Sequence, residues 1–286
     1  MAIGKYKVSI DRITVAGVIG DDNGRVELQE IANKLGAEWN LKNGAFRLRR
    51  EYENGDTENL AYFAPVMYHE DKWRLDFNPN RLTDNERLEI VRALALLRKA
   101  HFTRLDVAFD VFNNELGMKY RVYRSNVSER EFGVYKGRSK DIQTIYYGST
   151  RSEMQIRQYN KLVERQMKQE TIPEGVEHWM RLELQLVGRK PAEWVERAQA
   201  MLADFRLPDY GAVENINDRL TLHGLDNGIV DWTDFSDKNK RSRLRKLQHE
   251  AYDDTLAVEL LAELRANEER LQSELQAYLS DFGIEK

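Results

Sequence analysis

The chain has no cysteine among its 286 residues. Disulfides, thiolate-held zinc and thiol nucleophiles are therefore excluded, and any metal must rest on oxygen or imidazole ligands. Histidine is sparse as well: His69, His101, His178, His223 and His249 are scattered, and no His-hydrophobic-His pair occurs. Long apolar runs are missing too, none approaching the roughly 20 residues that span a bilayer, and the first residues lack the apolar core of a secretion signal. A cytoplasmic location without a membrane partner is expected. Internal repeats and low-complexity segments are also lacking.

What is present is a mixture of apolar and charged residues with a net charge of −4, unevenly placed. The segment "DKNKRSRLRKLQHE" concentrates Lys238, Lys240, Arg241, Arg243, Arg245 and Lys246, and the chain after it is acidic. Such asymmetry suits either a local DNA-binding surface or a solvated helix face.

Alternation and turn signals then place the elements. "KYKVSIDRITVAG" predicts a strand, "RVELQEIANKLG" a short helix, and "NGAFRLRREYENGDTENLAYFAPV" a hairpin turning at "ENGD". "KWRLDFNPNRL" is a strand stopped by Asn-Pro. Thr83 with Glu86 forms a capping box before a helix whose expected apolar stripe is Leu88, Val91, Leu94 and Ala95. Strands follow at "FTRLDVAFDVF", "IQTIYYGS" and "MQIRQYN", then a helix through "KLVERQMKQE" and a strand "WMRLELQLVG". Segregated strands and helices of this kind predict an α+β fold with a mostly antiparallel central sheet, helices packed on one side, and a helical C-terminal region. From Pro191 the pattern is helical, so domains of 1–190 (core about 60–190) and 191–286 are expected.

Side chains alternate across a strand. "RLDVAFD" thus puts Arg104, Asp106 and Asp110 on one face and Leu105, Val107 and Phe109 on the other. "RLELQL" does the same with Arg181, Glu183 and Gln185 against three leucines, and "RQYNK" aligns Arg157, Tyr159 and Lys161. If these strands share a sheet, one face collects carboxylates, cations and a tyrosine.

Carboxylates without thiols or paired histidines suit a hard divalent cation, Mg2+ or Mn2+, completed by substrate phosphate oxygens. Tyrosine is a covalent nucleophile whose free pKa, near ~10, calls for help from a neighbouring cation. The bland alternatives are cross-strand ion pairs of Asp106 and Glu183 with Arg104 and Arg181, and a tyrosine that only packs.

Three segments, "RLDVAFD", "IYYGSTRSEMQIRQYNKLVER" and "WMRLELQL", in that order, resemble rolling-circle plasmid replication initiators of the Rep_trans type, themselves similar to relaxases of some integrative elements. The resemblance covers roughly residues 60–190. It implies metal-dependent nicking and religation at a double-strand origin, with the tyrosine matching Tyr159 held on the 5′ phosphate and a 3′ hydroxyl left as primer. Asp106 and Glu183 match the metal-binding strands, with Asp110 the weaker choice, and Lys161 and Glu164 complete the tyrosine segment. Arg157 stands beside them as a catalytic candidate. The resemblance further implies a homodimer, a host DNA helicase as partner, and origin recognition by the C-terminal part, for which the run from Lys238 to Lys246 is the expected element.

Rivals remain. Tyr146 and Tyr147 compete for the nucleophile, and Tyr147 with Arg151, at the "YYGS" turn, is expected to contact exposed single-stranded DNA. "HWMR" around His178 fits a tyrosine-recombinase pattern, but there the nucleophile follows the histidine. Leu260, Leu264, Leu271, Leu275 and Tyr278, with Asn267 in the seam, form a stripe that either pairs two subunits or packs on its own domain. A relaxase of a conjugative element, or a DNA-binding regulator that has kept the sheet without cutting, are the alternative functions.

Overall fold

The structure is a computed structural model that describes residues 4–19, 22–40, 44–51, 55, 57–67, 69–123, 132–136, 142–149 and 151–279. Ten strands make one sheet: β1 Tyr6–Ile19, β2 Glu38–Asn40, β3 Ala45–Glu51, β4 Thr57–Val66, β5 His69–Phe77, β6 Leu97–Phe112, β8 Phe132–Lys136, β9 Ile142–Tyr147, β10 Met154–Asn160 and β11 Trp179–Val187. Three short strands, β7 Arg121–Val122, β12 Phe205–Pro208 and β13 Tyr252–Asp253, make a second. Helices are α1 Asp22–Lys34, α2 Asp84–Ala95, α3 Lys161–Met167, α4 Trp194–Ala203, α5 Ile216–Asp226, α6 Lys238–Glu250 and α7 Thr255–Tyr278. The large sheet runs β2-β3-β4-β5-β1-β6-β11-β10-β9-β8, and every neighbouring pair is antiparallel. This is the expected α+β class. The fold is built on β6 because it is flanked by β1 and β11, two long strands whose apolar residues share its inner face.

That inner face carries Val8, Ile10, Ile13 and Val15 of β1, Leu105, Val107 and Phe109 of β6, and Leu182, Leu184 and Leu186 of β11, all fully buried. Helices α1, α2, α4 and α7 contribute to the same core. Burying one face under helices satisfies it and turns the polar alternates to the other side.

Local chemistry explains the element ends. Thr83 accepts from the Glu86 amide while the Glu86 carboxylate accepts from the Thr83 amide, so the expected capping box starts α2. Its buried stripe, however, is Ile90, Ala93 and Leu94, and Leu88 is 60% exposed. The expected stripe ran one position off because α2 docks on the side that Glu89, paired with Lys34 of α1, also enters. The hairpin of β3 and β4 forms as expected; within its "ENGD" turn only Gly55 is described, and the other turn residues lie outside the described set.

After Pro191 the chain is not purely helical, since β12 pairs with β7 and β13. Trp194, Ala198, Leu260, Leu264, Leu271 and Leu275 all join the core of the sheet. The α7 stripe thus packs on its own chain, with Tyr278 against Phe77 at 5.0 Å between ring centroids, and these residues are not open to a second subunit. A separate small core of Tyr210, Val213, Leu222 and Leu244 joins α5 to α6. Among the described residues, no helix is long and apolar enough to cross a membrane.

Candidate active site

The outer face of the sheet is where the polar alternates meet. On β10 and β11, Tyr159 pairs with Arg181 and Arg157 with Glu183; on β11 and β6, Arg181 pairs with Asp110 and Gln185 with Asp106. The three strands anticipated as neighbours are therefore adjacent in the order β6-β11-β10. Tyr159, Glu183 and Asp106 line one groove together with Lys161 and Arg157.

Tyr159 is only 3% exposed. Its hydroxyl donates to Oε2 of Glu183 at 3.4 Å. The Arg157 guanidinium lies 3.8 Å from the centre of its ring, and the Lys161 ammonium 5.5 Å. Burial pushes the phenol up in pKa, the positive Arg181 opposes that, and Glu183 and Glu164 reinforce it. Ionising this tyrosine therefore requires added positive charge.

Glu183 is pushed up to about 7, first by burial and then by the nearby carboxylates Asp106 and Asp11, against the pull of Arg157 and Arg181. Asp106, 2% exposed, is raised by burial and held down by Arg104. Both its oxygens accept from that guanidinium, at 2.8 and 2.6 Å. Lys161 is lowered by burial and by Arg181. Glu164, despite burial, is brought down to about 2 by the Lys161 ammonium 2.5 Å away and by Lys168.

Asp110 shares the face but is committed elsewhere. Its oxygens accept Nε and Nη2 of Arg181, each at 2.8 Å, and the Trp179 indole at 2.7 Å. It anchors Arg181, and both its oxygens are engaged by that guanidinium as those of Asp106 are by Arg104. The predicted bland pairing of Glu183 with Arg181 does not form, because Arg181 is turned to Asp110 and Asp11.

Asp11 was missed from sequence. It sits where the register of β1 against β6 shifts between Ile10 and Arg12, a bulge that breaks strict alternation and turns Asp11 toward Arg181 Nη1, 2.8 Å away. Arg12, just beyond, pairs with Asp76 of β5 at 2.7 Å. The signal in the chain was the charged pair Asp11-Arg12, at which the apolar alternation changes phase from Val8 and Ile10 to Ile13 and Val15.

Tyr147 is on the wrong side. It pairs with Ile156, and its hydroxyl donates to the buried Gln158, whose amide reaches the Gly117 and Tyr120 carbonyls on the helix-covered face. Tyr146, across from Arg157, is the one on the face that carries Arg157 and Tyr159. Arg151 is exposed in the turn between β9 and β10.

Could these residues hold a cation? Among the described residues, no three His, Asp or Glu side chains converge tightly enough to ligate an ion by themselves. Asp106 and Glu183 offer two buried carboxylates on neighbouring strands, and burial first, then the charges of Asp106 and Asp11, favour the protonated form of Glu183. That suits a site with two protein carboxylates completed by phosphate oxygens, with Arg104 the competitor for Asp106.

The basic helix α6 is capped by Asp237. It buries Leu244 and turns Lys238, Arg245 and Lys246 outward. Arg243 instead pairs with the buried Asp218 of α5 at 2.7 Å. Lys240 packs over Phe235, and Arg245 stands over Trp232.

Residues 100–253, spanning Asp106, Tyr159, Glu183 and α6, match the model of a family described as Replication initiation factor. A Replication initiation protein of Staphylococcus aureus is 25% identical over 299 residues, covering 100% of this chain and 89% of the relative. A second from the same organism is 26% identical over 290 residues, covering 98% and 87%. Among solved structures, a rolling circle replication initiator protein from Geobacillus stearothermophilus covers 85% of this chain and 97% of that chain at 16% identity, with a TM-score of 0.42. That score is too low to bear on chemistry.

Proposed function

The chain belongs to the replication initiation factor family, and we propose that it starts rolling-circle replication by nicking one strand of a plasmid origin through Tyr159. The observation that carries this reading is the Tyr159 hydroxyl set 3.4 Å from Glu183, between Arg157 and the Asp106 strand, in a groove open to a substrate. In the proposed step the phenol gives up its proton to water, its oxygen attacks the scissile phosphorus and the bond to the 3′ oxygen breaks. The 5′ phosphate stays on Tyr159, and the 3′ oxygen takes up a proton to become the primer hydroxyl.

Arg157 and Lys161 stabilise the phenolate and the phosphoryl charge. Arg157 is suited to this because its Nε is buried with no hydrogen-bond partner among the described residues. Arg181, fixed by Asp110, lends a further positive charge that does not move. Asp106 and Glu183 would hold Mg2+ or Mn2+, which when bound supplies neutralising charge to the phosphate oxygens. Helix α6 presents the cations that would read duplex origin DNA.

The test is a labelled single-stranded oligonucleotide carrying the origin nick sequence, incubated with Mg2+ or Mn2+ and run on a denaturing gel. A covalent adduct that maps to Tyr159 and vanishes in Tyr159→Phe, with origin binding intact, is the expected result. Adduct formation that survives Tyr159→Phe, or survives EDTA, overturns it. The absence of any adduct in the parent chain would leave a DNA-binding regulator.

A further inference from the structure

The groove holding Tyr159 does not end at the catalytic strands. It encloses about 1150 Å³ and runs on across β1, β5 and β4, so that Arg47, Asn59, Tyr62 and Arg74 line it as well. Cross-strand register explains the continuity: Arg47 pairs with Tyr62, Tyr62 with Asp76, Asp76 with Thr14 and Thr14 with Arg104, one row on the same face as the catalytic residues. Between β4 and β10 lie five strand spacings, about 24 Å at ~4.8 Å each.

At the far end of that row, Tyr62 is half-buried between two guanidiniums. Arg47 stands 5.5 Å and Arg74 5.8 Å from its ring centre. Neither arginine has a carboxylate at ion-pair distance among the described residues, whereas the acidic groups nearby are already matched: Asp76 with Arg12, and Glu58 with Arg81. Nine basic side chains against seven acidic ones line the groove, on a chain whose net charge is −4. The sign of this face is therefore opposite to that of the molecule. An aromatic ring lining a groove, beside two guanidiniums that have no carboxylate at ion-pair distance among the described residues, is an arrangement suited to stacking an unpaired base while holding its phosphates.

We propose that the β3–β5 end of the sheet is a binding subsite for single-stranded DNA, in which Tyr62 stacks a base several nucleotides from the scissile phosphate and Arg47 and Arg74 bind the flanking phosphates. This rests on the reading that the groove takes DNA at Tyr159. It adds that the protein grips one strand well beyond the nick, which means that origin DNA must be unpaired over that length before it can be cut. Arg104, the β6 member of the row, and Arg12, two residues from Thr14 on β1, lie between the two ends.

The test uses the full chain carrying Tyr159→Phe, so that binding is read without cutting. Fluorescence anisotropy compares a short oligonucleotide centred on the nick with versions extended only on its 5′ side or only on its 3′ side. One extension is expected to tighten binding, and Tyr62→Ala to remove about tenfold or more of that gain. Tyr62→Phe retains it, and the short oligonucleotide is unaffected by either change. In the chain with Tyr62 intact, an oligonucleotide bearing iodouracil in the extension should photocrosslink to a peptide containing Tyr62. That readout is independent of how the Tyr62 variants fold.

Equal binding of both extensions by Tyr62→Ala and its parent, together with crosslinks elsewhere, overturns the subsite. If that happens while the Tyr159 adduct still forms, the nicking reading stands alone. Tyr62-dependent binding without any adduct would instead keep the subsite and remove the nicking.

Discussion

Arg181 grips Asp110 through two parallel N–H···O bonds of 2.8 Å, and with its remaining nitrogen it reaches Asp11 at the same distance. Arg181 and Asp110 are both buried. A bidentate pair of this kind holds its geometry, but the desolvation it entails leaves it costly to break.

Asp110→Ala is therefore expected to destabilise the protein by about 3–5 kcal/mol, because it leaves a buried guanidinium with half its partners. Urea unfolding of the variant and parent measures this. A loss below about 1 kcal/mol would mean that Arg181 finds solvent or another acid.

Glu183 sets a pH dependence of defined sign. Its ordinary value of 4.5 rises to about 7 in the fold, so the folded state prefers the protonated form. Stability from this group is fully present below about pH 4.5 and is lost as pH rises through about 7. Glu183→Gln, fixed in the neutral form, should gain up to about 3 kcal/mol over the parent in alkaline buffer and nothing in acid. Mg2+ should narrow that difference by stabilising only the parent, which melting curves with and without the ion would reveal.

Lys161→Met is expected to slow adduct formation about 100-fold while leaving affinity for the oligonucleotide within a few-fold. The ammonium lies against Tyr159 and Glu164, in the path of developing charge, and its removal leaves Glu164 with Lys168. Single-turnover rates against binding curves separate the two effects. A loss of binding alone would place Lys161 on the strand rather than at the reaction.

On α6, Arg245→Ala and Lys246→Ala should each weaken duplex origin binding and reduce the salt slope by about one. Arg243→Ala should instead lower stability, because Arg243 pairs with the buried Asp218. A titration in rising salt beside a thermal melt assigns each residue to one role or the other.

The polar faces of β6, β10 and β11 were legible in the chain because a strand repeats every two residues. An Arg-x-acid pattern beside leucines can face only one way once the leucines are buried. The polar face of each strand, Tyr159 with Arg157, Glu183 with Arg181 and Asp106 with Arg104, and the capping box of α2 could thus be read from local chemistry alone. Three things were not local. Asp11 reached the site through a bulge in β1, and Tyr147 turned away because register against β10 put Tyr146, not Tyr147, on the face of Arg157. The leucines of α7 met the sheet of their own chain.

The sequence by itself determined which side chains each strand presents together, since that follows from backbone geometry within a few residues. Only the tertiary structure decided which strands became neighbours and which arginine each acid received. Those choices depend on long-range pairing, and the periodicity of a single strand carries no record of them.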